Sequence, residues 1–236
     1  MEAASAWFDA TCAELSANPQ GATEKLMSFR DADEALTVSM YVLSSGSCSP
    51  VTQFQGLLIL QHVFLKRWEY LSQMDRESLK SLLWTKLTSG DGASNFVKNK
   101  ATQSFALLWK RGWVASGVDE KASLFATITS TVQSSVLSVG QAAVVLRAVT
   151  EEFSGKSNIE IGAPVQFHRS SHAAFESYGL DNTFQLGMGL LSNALEALST
   201  AAESQERFTL VCSSIEDTTY LMVEVLSWDF GGYRIA

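Results

Sequence analysis

Proline is scarce in this chain: Pro19, Pro50 and Pro164 are the three in 236 residues. Each falls between stretches of helical periodicity, where proline interrupts a helix at little cost. That scarcity argues against a fold of many short strands and favours long helices. Cysteine is scarce too. Cys12, Cys48 and Cys212 are odd in number, far apart and outside any C-x-x-C pair. This excludes a disulfide framework and suits free thiols in a reducing compartment. Basic charge is short: 17 Lys and Arg against 25 Asp and Glu give a net charge of −8. Such a surface repels phosphate backbones, which argues against nucleic acid as a direct partner and fits a basic protein partner better. Long apolar runs are missing as well. The most apolar stretch, Leu57 to Leu65, is too short for a membrane span and is closed by Lys66-Arg67. The start, Met1-Glu2-Ala3-Ala4, has no basic region, so no signal peptide is evident.

What is present is apolar periodicity. Hydrophobic residues make up 46% of a chain long enough for a packed core or an elongated array, so it is no disordered tail. Spacings of three and four recur almost throughout. Ala4, Phe8, Cys12 and Leu15 share a stripe, then Ala22, Leu26 and Phe29, then Leu36, Met40 and Leu43. The Ser44-Ser45-Gly46-Ser47 run breaks the third segment. The fourth is long, with Phe54, Leu57, Leu58, Gln61, Phe64, Leu65 and Trp68, and Leu60 and Val63 widen its apolar face. Asp75 is expected as the N-cap of a fifth segment holding Leu79, Leu82, Leu83 and Leu87, closed by the turn Ser89-Gly90-Asp91-Gly92. A sixth carries Val97, Ala101, Phe105, Leu108 and Trp109, with Gly112 as its stop. Asp119 is expected to cap a seventh, with Phe125, Ile128, Val132 and Val136. Gly140 marks the next break, and an eighth holds Ala142, Val145, Val149 and Phe153. After a loop from Ser154 to Pro164 comes a short segment with Phe167 and Phe175. Two long helices then follow, one with Phe184, Leu191, Leu195 and Leu198, the other with Phe208, Val211, Cys212, Ile215, Met222 and Leu226, ended by Gly231-Gly232.

These segments fall into antiparallel pairs of roughly 40 residues, the period of HEAT-type repeats. One pair cannot bury its own apolar stripe, so pairs stack. The expected fold is all-α: a right-handed α-solenoid of antiparallel HEAT-type helix pairs, about five of them across residues 1–236. An irregular helical globule is the competing reading. The last segment ends at Trp228-Asp229-Phe230 with Tyr233 and Ile235 still to come, lacking the polar outer face of an end cap. The chain is therefore expected to be the front part of a longer array.

Motifs of chemistry are weak. Gly155-Lys156-Ser157 resembles the tail of a phosphate-binding loop, but Thr150 stands where that motif needs glycine. His168 and His172 are four apart, yet no third ligand accompanies them and Arg169 stands where H-E-x-x-H has glutamate. The pairs Glu151-Glu152 and Asp31 with Asp33 read as solvent-facing carboxylates near helix ends. Phe54, Trp68, Phe105 and Trp109 read as core. No catalytic, metal or cofactor site is expected, and no enzyme activity. The clusters Lys66-Arg67, Lys98 to Lys100 and Lys110-Arg111 stand out in an acidic chain. They read as solvated helix faces, or as one face of a partner interface.

Three segments in fixed order carry a family resemblance. Phe54-Gln55 through Arg67-Trp68 resembles the second inner (B) helix of the importin-β superfamily. Phe96-Val97-Lys98-Asn99 with Lys110-Arg111-Gly112 resembles the next B helix of the exportin-4/exportin-7 branch. Glu152-Phe153-Ser154, Ile161-Gly162, Phe167-His168 and Leu226-Ser227-Trp228-Asp229-Phe230 are similar to that branch in particular. The chain departs from the family at Ala163-Pro164-Val165-Gln166, where an acidic residue usually precedes the Phe-His pair, and in its first helices.

The resemblance implies a nuclear export receptor of HEAT repeats, without enzyme activity, that shuttles between nucleus and cytoplasm as a monomer. It implies that residues 1–115 bind the small GTPase Ran in its GTP form through B helices, and that residues 116–236 are following repeats. The whole receptor would carry protein cargo past phenylalanine-glycine repeats of pore proteins. Ran-GTP and cargo would favour the same curvature and so strengthen each other's binding. On the polar faces of those helices, Gln61, Lys98, Asn99, Gln103, Lys110 and Arg111 are the candidate Ran-contact residues. Gln61 is singled out because it is polar among apolar neighbours. A HEAT-type scaffold with other protein partners shares every periodic feature but implies no dependence on the nucleotide bound to Ran.

Overall fold

The computed structural model describes residues 2–89, 94–135, 138–155, 163–201 and 204–230. Among them lie eleven α-helices and no strand, so the fold is all-α as expected. The helices are α1 (Glu2–Glu14), α2 (Pro19–Phe29), α3 (Ala35–Ser44), α4 (Pro50–Lys66), α5 (Gln73–Thr88), α6 (Asn95–Trp113), α7 (Val118–Gln133), α8 (Val139–Ser154), α9 (Val165–Glu176), α10 (Gly179–Ala201) and α11 (Gln205–Leu226). A 3-10 turn, Trp68–Tyr70, follows α4, so Trp68 is buried beyond the helix rather than within it. The chain forms two compact units, divided inside α6 between Leu108 and Trp109. The expected glycines of the turn at Gly90-Asp91-Gly92 and of the end at Gly231-Gly232, together with Val136, Lys156, Ser157, Ile161, Gly162, Tyr233 and Ile235, lie outside the described residues.

In the first unit the helix starts are written locally. Asn18 caps α2 by accepting from the Gly21 amide at 3.1 Å, with Pro19 in the first turn. Ser49 caps α4 by accepting from the Thr52 amide at 3.1 Å, with Pro50 at the first position. Both prolines sit where a missing N–H costs nothing. Ser72, not Asp75, is the N-cap of α5. Asp75 is the third residue of the helix and returns a bond to the Ser72 amide, a reciprocal capping box. α1 packs on α2 and α4, and α3 packs on α4 and α5. The link from Ser44 to Pro50 is too short for a crossover, so α3 and α4 run antiparallel as a hairpin. The buried stripe of α3 is Ala35, Val38, Ser39, Val42 and Leu43, one step round from the expected Leu36-Met40 line. Cys12 is part of this core, and burial pushes its thiol up to about 12, so it stays an unreactive thiol. Cys12, Cys48 and Cys212 are all free, as expected.

The second unit starts with the last residues of α6. Gly117, not Asp119, precedes α7; Asp119 lies in its first turn, where a carboxylate still complements the helix dipole. Ser138 and Gln141 form a capping box at α8. Gly140 therefore lies inside the helix rather than at a break. A Cβ there would come within 3.0 Å of the Asp217 carboxylate and 3.2 Å of the Ser214 backbone, so the glycine lets α8 and α11 approach closely. Gly155 takes a left-handed φ of 80° as the C-cap of α8, which accounts for its place in the apparent phosphate-loop tail. α10 packs on α11, and α11 on α8. Gly140 faces Ser214 and Asp217, and the Arg147 guanidinium lies over Tyr220 at 5.7 Å, so α8 and α11 run in the same direction.

Candidate functional site

A groove opens in the first unit between α2 and α4, with Leu15, just past α1, at one side and a volume of about 380 Å³. Its apolar surface includes Met27 and Leu58, which are 49% and 37% exposed although both are large and hydrophobic. α2 supplies Met27 and Arg30 one turn apart. α4 supplies Gln55, Leu58 and His62 at spacings of three and four, hence on one face.

The charged rim is ordered from below. His62 bonds Asp31 at 2.7 Å, and this bond is the main reason the Asp31 carboxyl lies below the ordinary carboxylate range. Arg67 donates to the carbonyl of Ala32 at 3.0 Å and pairs with Asp33 at 3.4 Å. The segment linking α2 to α3 is thus pinned to the C-terminal end of α4. Asp31 and Asp33, read as simple solvent-facing carboxylates, serve as those pins. Arg30 differs. Among the described residues its guanidinium has no hydrogen bond or ion pair, and its Nε is buried without an acceptor. A guanidinium with unused donors beside exposed Met27 and Leu58 is a ready contact for a carboxylate flanked by apolar side chains.

The sequence-predicted contact residues divide. Gln61 is buried in α4, and its Nε2 has no hydrogen-bond partner among the described residues. It is not presented to solvent: its turn of α4 lies between Leu57, Leu60 and Phe64, all fully buried. On α6, Asn99 is exposed while Lys98 and Gln103 are half-buried. Asn99 and Gln103 are one helical turn apart, and Gln103 accepts from Lys100 at 2.8 Å. Burial lowers the Lys100 ammonium from its ordinary value. Phe105 and Trp109 are core as read, and Phe54 is half-buried with its ring 5.6 Å from Phe96.

Lys110 and Arg111 belong to the second unit and have other work. Lys110 is 2% exposed. Its ammonium donates to the Glu152 carboxylate at 3.0 Å and also to the Glu152 carbonyl. Glu152 is itself buried, so neither residue is the solvent-facing charge that the sequence suggested. Burial lowers the Lys110 ammonium, outweighing the attraction of Glu152. Lys110 cannot reach a partner without abandoning a buried carboxylate, which removes it as a contact residue. The Arg111 guanidinium lies over the Phe167 ring at 5.2 Å.

The motifs that carried the finer resemblance converge on the packed interior of this unit. Trp113 is fully buried, with Phe153 at 5.3 Å and Phe175 at 5.4 Å, and donates to the carbonyl of Ala174 at 3.2 Å. Phe153 stacks on Phe175 at 4.3 Å. His172 stacks on Trp228 at 4.4 Å, with its two nitrogens each 3.2 Å from a carbonyl, of Phe153 and of Asp229. Trp228 donates to Glu176 at 3.1 Å. His172 is thus a core residue. Burial and the nearby Lys110 charge lower His168. Among the described residues no group of three His, Cys, Asp or Glu side chains could hold a metal, and no helix is long and apolar enough to cross a membrane.

Sequence reasoning missed Met27, Arg30 and His62, and it read Leu58 as core. One signal was available: α4 is apolar over more of its circumference than one packed face can cover, so part of it had to face outward. The helices that form most of this groove lie in a segment that matches a known family. Residues 22–89, from within α2 to just past the end of α5, match the family model of the importin-beta N-terminal domain, which relates this segment to the importin-β/karyopherin superfamily.

Proposed function

We propose that this chain is the Ran-binding part of a nuclear export receptor of the exportin-4 type. The α2–α4 groove and the exposed side of α6 near Lys98, Asn99 and Gln103 form the surface for Ran-GTP. One observation carries the reading: the segment that matches the importin-beta N-terminal domain is the segment that leaves Met27 and Leu58 exposed around an Arg30 guanidinium with no hydrogen bond or ion pair among the described residues. Protein cargo and phenylalanine-glycine repeats of pore proteins would be further partners of the whole receptor, which would shuttle between nucleus and cytoplasm. The order and spacing of Glu152-Phe153, Phe167-His168 and Trp228-Asp229-Phe230 favour the exportin-4 branch over other transport receptors. The reading requires no catalytic group and no cofactor.

The test is binding of residues 1–236 to Ran loaded with a non-hydrolysable GTP analogue, with Ran-GDP in parallel. A preference of at least about tenfold for the GTP form is expected, corresponding to roughly 1.4 kcal/mol. Arg30→Glu, by reversing a rim charge, should weaken the GTP-form complex by about tenfold or more. Lys110→Met should leave the affinity unchanged wherever the fold survives. Equal or absent binding by the folded chain sinks the proposal and leaves a HEAT-type scaffold with other partners as the reading.

A further inference from the structure

A second groove of the first unit lies between the end of α3 and the outer side of α5, with a volume of about 630 Å³. It shares no lining residue with the α2–α4 groove. Its α5 wall is a single stripe that runs from Glu77 through Ser78, Ser81, Leu82 and Thr85 to Lys86 and Ser89. Leu82, half-buried, supplies apolar surface, and the fully buried Leu43 backs the groove. The volume falls in the range of small-molecule sites, which pair an apolar lining with a few fixed polar groups.

Lys86 is the unusual member. It is 8% exposed, and its ammonium donates to the Gln53 Oε1 at 3.1 Å. Gln53 is held in turn by donation from its own Nε2 to the carbonyl of Cys48 at 2.9 Å, so its oxygen is a fixed but neutral acceptor. No carboxylate pairs with Lys86 among the described residues. Glu77, the acid of the groove, is taken by Lys80 at 3.1 Å and Gln73 at 2.9 Å. It also stands nine residues from Lys86 along α5, about 13 Å at the helical rise. A buried ammonium with a neutral partner alone is left short of a counter-charge. The hydroxyls of Ser78 and Ser81 make no hydrogen bond among the described residues, so they have donors to offer a ligand.

We propose that the α3–α5 groove binds a small ligand with an anionic group, carboxylate or phosphate, and an apolar portion. The anionic group meets Lys86, the apolar portion covers Leu82, and the serine hydroxyls orient it. The site does not depend on the Ran reading, because it lies on α3 and α5 and uses no residue of the α2–α4 groove or of α6.

The experiment titrates residues 1–236 with inorganic phosphate and, separately, with hexanoate, and follows amide shifts by NMR. Saturable shifts confined to residues around Leu43, Leu82 and Lys86 are expected for at least one probe. Response to phosphate alone assigns a phosphate ligand, and response to hexanoate alone assigns a carboxylate with an apolar tail. Lys86→Met should weaken binding by about tenfold or more, since a charged hydrogen bond is lost. Ser81→Phe, on an exposed position, should fill the groove and abolish binding while leaving Lys86 in place; it decides the matter if Lys86→Met fails to fold. No saturable shift with either probe, or binding by Ser81→Phe equal to the unsubstituted chain, overturns the proposal.

Discussion

Each unit buries a lysine in the last turns of a helix, and the two are completed differently. Lys110, near the end of α6, meets the carboxylate and the carbonyl of Glu152 from α8. Lys86, near the end of α5, meets the neutral amide of Gln53 from α4. Locally the two look alike: each is a cation near a helix C-terminus, where the dipole favours it, with an apolar stem that can lie against the core. The difference comes from residues far along the chain. A buried charge finished by an opposite charge is a fastener, costly to open from either side. A buried charge finished by an amide is a fastener with one position unfilled, and what fills it is a matter of binding. The first unit, whose residues 22–89 match the importin-beta N-terminal domain, therefore keeps cations without a carboxylate partner among the described residues at Arg30 and at Lys86, while the second has used Lys110 inside its core.

The sharpest way to break this comparison is to remove Glu152. Glu152→Ala leaves Lys110 buried with a carbonyl and no counter-charge, and should cost about 3–5 kcal/mol. The loss should appear in urea unfolding and, by hydrogen exchange, as faster opening of α6 to α9 amides in the second unit. The double change Lys110→Met with Glu152→Leu should recover most of it, because two apolar side chains of similar volume restore packing without a stranded charge. A Glu152→Ala loss below about 1 kcal/mol would mean the pair behaves as a surface contact, against its burial.

Lys86→Met makes the matching test in the first unit, and the expected effect is smaller. No carboxylate is stranded; one acceptor on Gln53 loses its donor. The cost should be about 1 kcal/mol, the usual net worth of such a bond. Urea unfolding of the same quality decides it. A loss as large as that of Glu152→Ala would show that Lys86 carries structural weight equal to the ion pair and would erase the distinction between the units.

The helical class and most helix ends were legible because they are local. Pro19, Pro50 and Pro164, the glycine and serine breaks and the stripe Ala142-Val145-Val149-Phe153 mark boundaries and one packed face without reference to anything distant. The phase of the later helices was not legible. α11 is apolar on two sides, and the buried side is Thr218, Leu221, Met222 and Val225, whereas Phe208 and Leu226 on the expected line are 41% and 69% exposed. α10 likewise buries Leu190 and Ala194 rather than Leu195. A helix with two apolar faces does not say which one its neighbour covers; α8 decides that for α11. Charge was the least legible property. Lys110 and Glu152 stand 42 positions apart, and nothing near either one signals the other. For the same reason Gln61, chosen as a polar intruder among apolar residues, proved to be buried rather than presented, and Arg30 was overlooked because only the folded chain shows that it lacks a hydrogen bond or ion pair among the described residues.

The gentlest contrast between the units concerns two aspartates whose carboxyls move in opposite directions. Asp31 in the first unit lies below its ordinary value of 3.8, chiefly through the bond from His62. Its contribution to stability is complete above that value and is lost as the pH falls through the lower value of the folded state. Asp217 in the second unit lies above 3.8, because burial against α8 outweighs the attraction of Arg147. Its contribution is complete below 3.8 and is lost as the pH rises through the higher value of the folded state. The two substitutions to asparagine should therefore act at opposite ends of the acid range. Asp31→Asn should lower stability near neutral pH and flatten the acid fall below 3.8. Asp217→Asn should raise stability slightly near neutral pH and change little below 3.8. Both effects should be small, since neither carboxyl is deeply buried, and both are read from thermal midpoints of the two variants across pH 3 to 7. If Asp217→Asn lowers the midpoint at neutral pH, then Arg147 rather than burial governs that carboxyl, and the second unit holds a stabilising surface pair where the packing of Gly140 against α11 implies a carboxylate kept partly from water.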